Sequence, residues 1–264
     1  MSVWLIAGAA YAAPEVGVVT LADPGTRVLR GATWYKLPPG LALEDGDIVT
    51  ADSKAHAQLE FPGGTIVSLA GEGSLFITLG KGGVPVLTWT SGSLKVVAKP
   101  PGVRVRTPLF DADFGDAIGV MRTDGGSAEV FVEAGSAKFV EGTTTRDAKR
   151  GEFWRKTAIA AFASQPLPPK AFVDALPRHF LDPLPVLAPR IKSRPSLVVD
   201  HEITYAEAEP WLAGRDRAAF EKRFASRLKD PVFRRAVEPY VSRYPSWDRI
   251  LHPEKYLPKT APVK

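Results

Sequence analysis

Four histidines, two acidic clusters and one run of cations are the side chains of this 264-residue sequence whose types and spacing could do chemistry. Asp200-His201-Glu202 puts three metal-ligating types in succession, but neighbours on an extended strand point to opposite faces, so the run reads as a solvated turn. None of His56, His179, His201 and His252 stands at an H-E-x-x-H spacing, and the absence of cysteine removes thiolate metal sites and disulfides alike. His56 falls on the strand face opposite Ala57 and Leu59 and is expected to be exposed. Asp111, Asp113 and Asp116 flank Gly115, as Asp45 and Asp47 flank Gly46; carboxylates at i and i+2 could share calcium or straddle a glycosidic bond. Without the EF-hand spacing they read as turn and solubility residues. Gly71-Glu72-Gly73 has no helix after it to receive a phosphate, and no serine sits in a G-x-S-x-G elbow. No catalytic residue, cofactor or metal is assigned, and the chain is read as a non-enzyme.

The cations are the remaining candidate. Lys222, Arg223, Arg227, Lys229, Arg234 and Arg235 crowd together among Phe220, Phe224 and Phe233. Residues 1–164 carry 16 Lys and Arg against 17 Asp and Glu, and residues 165–264 carry 18 against 12, so the net charge of +5 belongs to the C-terminal part. Basic residues interleaved with aromatics can mark a nucleic-acid surface, although a solvated face behind a phenylalanine stripe is the commoner meaning. Arg223, Arg227, Arg234 and Arg235 are taken as partner-binding candidates on the outer face of docked helices, turned to an anionic partner other than nucleic acid.

The elements that must position these residues divide at a proline-rich stretch. Before it, short runs with period-2 alternation predict strands near residues 16–21, 26–29, 48–50, 55–61, 65–69, 74–79, 84–90, 94–98, 103–107, 117–122, 128–133 and 137–141. Asp124-Gly125-Gly126 and Ala134-Gly135 read as tight turns between them. Ala57, Leu59 and Phe61 share the inner face of one strand, which leaves Glu60 outside. Fifteen of the 24 prolines lie after Ser164, so residues 165–196 form a linker or a wrapping segment with at most one short helix near 169–176. The period then turns helical. Thr204 and Glu207 make a capping box for a helix over 205–212, Phe220, Phe224 and Leu228 repeat over 215–229, Asp230-Pro231 starts a third helix, and Ser246 is placed as the cap of a last turn.

The order of motifs in the β part resembles the FecR domain of bacterial envelope signalling proteins. Gly46-Asp47 precedes Ile48-Val49-Thr50; Ser53, Ala55, Ala57, Leu59 and Phe61 alternate; Gly63-Gly64 turns the chain into an apolar strand. Val16-Gly17-Val18-Val19 and the segment 25–31 resemble the opening strands, while Gly92-Ser93-Leu94-Lys95-Val96 and Val103-Arg104-Val105-Arg106-Thr107-Pro108 resemble later ones. The resemblance spans roughly residues 16–141, with Gly115 to Val120 a loose match. It implies a mainly β fold, a sandwich or short solenoid of many short antiparallel strands, and a role in envelope sensing or regulation.

The start of the chain supplies an address. An apolar run, Val3 to Ala10, leads into Ala10-Tyr11-Ala12, a small-residue cleavage pattern, although no Lys or Arg precedes Arg27. Residues 1–12 are read as a signal peptide, 14–163 as a FecR-like β domain, 164–203 as a proline-rich linker and 204–264 as a helical tail. The mature chain is expected in the periplasm without a transmembrane helix, since no later run reaches the roughly 18 to 20 apolar residues a spanning helix needs. The leading reading is a non-enzymatic periplasmic FecR-domain protein binding an envelope protein or an anionic cell-wall or lipid polymer. The alternative is a membrane-coupled sigma-factor regulator truncated at its N-terminus, with residues 3–10 the stump of a transmembrane helix.

Overall fold

The computed structural model describes residues 14–256; the expected signal peptide lies outside them. The chain begins with β1 (Glu15–Ala22), β2 (Thr26–Arg30), β3 (Thr33–Lys36), β4 (Ala42–Glu44), β5 (Ile48–Ala51) and β6 (His56–Phe61). Longer strands follow: β7 (Thr65–Leu79), β8 (Pro85–Ala98), β9 (Val103–Arg106), β10 (Asp111–Thr123) and β11 (Ser127–Glu141). β12 (Thr144–Lys149), β13 (Glu152–Thr157) and β14 (Ala163–Pro166) end the series, and a short helix α1 (Lys170–Asp174) comes next. The rest is β15 (Val198–Glu202), α2 (Tyr205–Leu212), α3 (Arg217–Phe224), α4 (Pro231–Val237) and α5 (Pro245–Leu251). The fold is mainly β with a small helical tail. Among the described residues no helix is long and apolar enough to cross a membrane.

Two compact units divide the chain, and neither is continuous. The first takes in the chain up to Thr26 and Leu37–Ser196; the second combines Arg27–Lys36 with the chain from Leu197 on. The boundary therefore falls after the proline-rich stretch rather than before it, and the β2–β3 hairpin, expected in the β domain, is grouped with the helices.

In the first unit, successive strands pair mostly antiparallel, with β8 and β9 running parallel. The expected short strands are too short. Residues 65–69 and 74–79 join through a bulge into the 15-residue β7, and the two expected strands within β8, like those within β11, also merge. Gly92 and Gly135 are the cause: each has positive φ, at 91° and 69°, and a Cβ there would stand 2.6 Å from Gly71 O or 2.1 Å from Asp116 O. They make close-packed bends inside a strand rather than turns between strands.

Register then lays side chains in rows across the sheet. On one face Leu59, Val67 and Val96 are aligned, beside Ala57, Leu69 and Leu94, and all six are fully buried. On the other face the row runs Gln58, Ser68, Lys95, Val120, Phe131, Phe153, polar at one end and apolar at the other. The proline-rich stretch covers this second row, so it is a wrapping strap. Phe172 of α1 and Phe180 seat on Ala70, Val120 and Phe153, and burying those two rings contributes roughly 3 to 6 kcal/mol before entropy.

Prolines cannot donate, so outside its short turns the strap lacks backbone partners for several groups, and the polar end of the row supplies them. Lys95 Nζ donates to Phe180 O at 2.6 Å and Asp182 O at 3.2 Å, with Glu133 Oε2 at 3.0 Å. Gln58 Nε2 donates to Pro185 O at 2.8 Å. The Glu60 carboxylate accepts from Leu187 N at 2.7 Å and Ala188 N at 3.1 Å. Alternation placed Ala57, Leu59 and Phe61 correctly, but Glu60, expected outside, is 6% exposed. Glu60→Ala would strand two amide groups and is expected to cost about 2 to 3 kcal/mol. Urea unfolding that shows a change under about 0.5 kcal/mol, normal for an exposed site, would refute this anchoring.

Candidate partner-binding surface

The second unit is built on aromatic side chains that four short helices cannot bury singly. Thr204 caps α2: its hydroxyl accepts from Glu207 N, and the Glu207 carboxylate accepts from Thr204 N at 2.9 Å. Asp230 caps α4 by accepting from Val232 N at 2.8 Å, with Pro231 in the first turn. Ser246 does not cap the last helix; it donates to the Glu221 carboxylate, and Pro245 opens α5. Trp211, Phe220, Phe224, Phe233, Tyr244 and Trp247 are buried, whereas Tyr240 stays 39% exposed.

The four arginines expected on the outer face part company. Arg223 points into its own unit, where Nε donates to Gly31 O at 2.6 Å and Nη2 to Leu29 O at 2.9 Å while the guanidinium lies over Phe224 at 5.7 Å. Arg227, with a side chain 17% exposed, donates to Ile203 O at 3.2 Å and to Asp230 Oδ2 at 2.6 Å and covers Phe233 at 5.6 Å. The Val232 amide and then Arg227 hold the Asp230 carboxyl below its ordinary range. Both arginines are structural because planar, multi-donor guanidinium satisfies carbonyls and stacks on rings at once. Arg234 and Arg235 are exposed in the last turn of α4, as are Lys222 and Lys229 nearby in sequence.

The remaining sequence candidates have mostly found partners. Asp111, Asp113 and Asp116 face Arg106, Arg104 and Lys99 at 3.8, 2.5 and 2.9 Å, the first two as cross-strand pairs of β9 and β10. Asp47 accepts from Glu44 N and Asp45 from Leu79 N, as turn carboxylates do. In Asp200-His201-Glu202, His201 bridges Asp200 at 3.1 Å and Glu207 at 2.9 Å, while Glu202 accepts from Thr33 at 2.7 Å. Burial works against protonation of His201, but the hydrogen bonds and charges of Glu207 and Asp200 outweigh it and raise its pKa. Glu72 sits at φ 47° in the β7 bulge and its carbonyl accepts from Ser91, so Gly71-Glu72-Gly73 is a bend.

One cluster carried no sequence signal. His56, expected to be exposed, is half-buried; its Nδ1 meets Asp23 Oδ2, and its ring lies 4.2 Å from that of His179 in the strap. Burial, then the charge of His56, lowers the pKa of His179 to about 4. The two histidines are too far apart in sequence for any local pattern to pair them. Among the described residues no three His, Asp or Glu side chains converge as a metal site.

No protein-family model matches the chain, and no curated protein does. Two solved structures of a candidate anti-sigma factor from Parabacteroides distasonis are similar to it, each with a TM-score of 0.41, at 13% and 14% sequence identity. Each likeness covers 46% of this chain and 59% of the other, so the chain spans less than two thirds of those structures.

Proposed function

We propose that the chain is a non-enzymatic binding module of the bacterial envelope, a FecR-type β scaffold whose helical unit meets an anionic envelope partner. The observation that carries this reading is the division among the arginines. Arg223 and Arg227 are consumed in holding the unit together, and Arg234 and Arg235 remain exposed beside Lys222 and Lys229 in a unit with a surplus of positive charge. Cations fixed on a helix by a packed interior attract acidic surfaces without losing much order on binding. The carboxylates that could have served catalysis are engaged instead by arginines, lysines and backbone amides. The periplasmic address rests on the apolar run and Ala10-Tyr11-Ala12 at the start of the sequence.

The test is a pull-down from the periplasmic fraction with the tagged chain, followed by titration of the captured partner. Arg234→Gln with Arg235→Gln is expected to weaken binding by about tenfold at low salt, with the difference fading near 0.5 M as exposed charges are screened. The melting temperature of this double variant should stay close to the parent's, whereas Arg223→Gln and Arg227→Gln should lower it. Unchanged affinity in the double variant would overturn the assignment.

A further inference from the structure

The first unit holds a cleft of about 780 Å³ where the loop between β7 and β8 approaches β9 and β10. That is a volume typical of sites for small organic molecules. Its walls are of two kinds. Leu79, Val84 and Val86 present an aliphatic surface, and Lys81, Arg104 and Arg106 present cations. Register explains the meeting: Val86 stands beside Arg104 in the β8–β9 pair, and Arg104 stands across from Asp113 in the β9–β10 pair, so the three side chains share one face.

The charges in the cleft do not balance. Asp113, the one carboxylate lining it, is taken up by Arg104, whose Nε and Nη2 donate to it at 2.5 and 2.8 Å. Arg106 is not satisfied in that way. Its nearest Asp111 oxygen is 3.8 Å away, beyond a hydrogen bond, and its Nε is shut off from solvent with no acceptor. The side chain, part of the cleft lining, is still 32% exposed as a whole, so the terminal nitrogens of its guanidinium can take an incoming anionic oxygen that Asp111 does not match. Lys81, exposed at the rim, adds a second cation beside the aliphatic wall.

We propose that this cleft binds a small carboxylate with an aliphatic body, its head on Arg106 and Lys81 and its chain against Leu79, Val84 and Val86. A neutral alcohol of the same length would leave both cations unmet, and acetate would leave the aliphatic wall wet, so each half of the ligand is needed.

Calorimetric titration of the full chain with octanoate, octanol and acetate tests the assignment. Octanoate is expected to bind at least tenfold more tightly than either of the others, and Arg106→Gln to weaken octanoate at least tenfold while leaving octanol unchanged. Lys81→Gln, at an exposed position where folding is not at stake, should weaken octanoate by about three- to tenfold. Equal affinity for octanoate and octanol overturns the proposal, as does no octanoate binding up to about 10 mM, a Kd too weak to mark a site. Octanoate affinity unchanged in Lys81→Gln would overturn it even if Arg106→Gln failed to fold.

Discussion

Lys95→Ala is expected to destabilise the β-rich unit by about 3 to 5 kcal/mol, the range for removing one partner from a buried ionic group. The lysine is 2% exposed and sits midway along the row that the strap covers. Truncation strands the carbonyls of Phe180 and Asp182 and leaves a void where the lysine stem packs. Glu133, whose side chain is 30% exposed, can turn to water, so the loss is concentrated on the strap carbonyls. Two measurements separate the outcomes. If the strap stays docked, urea unfolding of the whole unit shows the full cost; if it lifts, the global change is smaller and amide exchange quickens over residues 170–190 alone. No change in either would mean that the strap does not depend on Lys95.

Trp247→Ala is expected to cost the helical unit about 3 to 5 kcal/mol, a large share of what so small a core can supply. Trp247 is fully buried; its ring lies 5.0 Å from Tyr244 and 6.0 Å from Phe233, and its Nε1 donates to Glu221 O at 2.8 Å. It thus joins α5 to α3 and α4, and its removal leaves a cavity and an unmatched carbonyl together. Trp247→Phe should recover part of the packing but not the hydrogen bond. Far-UV circular dichroism during thermal unfolding reads the effect, as a helical transition at markedly lower temperature. An unshifted helical transition in the alanine variant would show that the helices are held by other contacts.

How far the sequence could be read depended on whether the deciding interaction was local. The Thr204–Glu207 box and the Asp230-Pro231 start are contained within a few residues, and both formed as expected. Alternation likewise revealed the Ala57, Leu59 and Phe61 face, since period 2 is a property of one strand. The same alternation misread Glu60 and gave no sign that Gln58 and Lys95 would be buried, because their burial depends on a strap more than 80 residues downstream. Ala134-Gly135 reads as a turn and Gly92 falls between two expected strands because glycine marks turn and bulge alike, and the neighbouring strand decides which. The cationic cluster was visible as a run, but not its split. Arg223 and Arg227 left the surface because carbonyls of residues 29, 31 and 203 happened to be within reach.

The β2–β3 hairpin, grouped with a unit whose other members begin at Leu197, imposes an order on synthesis. Residues 33–36 of β3 pair with β15, so about 160 residues must be translated before that partner exists. At about 5 to 20 residues per second the wait is roughly 8 to 30 s. For that interval the β3 edge is an open row of amides and carbonyls while the intervening strands are being made. A nascent chain in this position is a natural client for a chaperone, and the helical unit stays incomplete until β15 has been made.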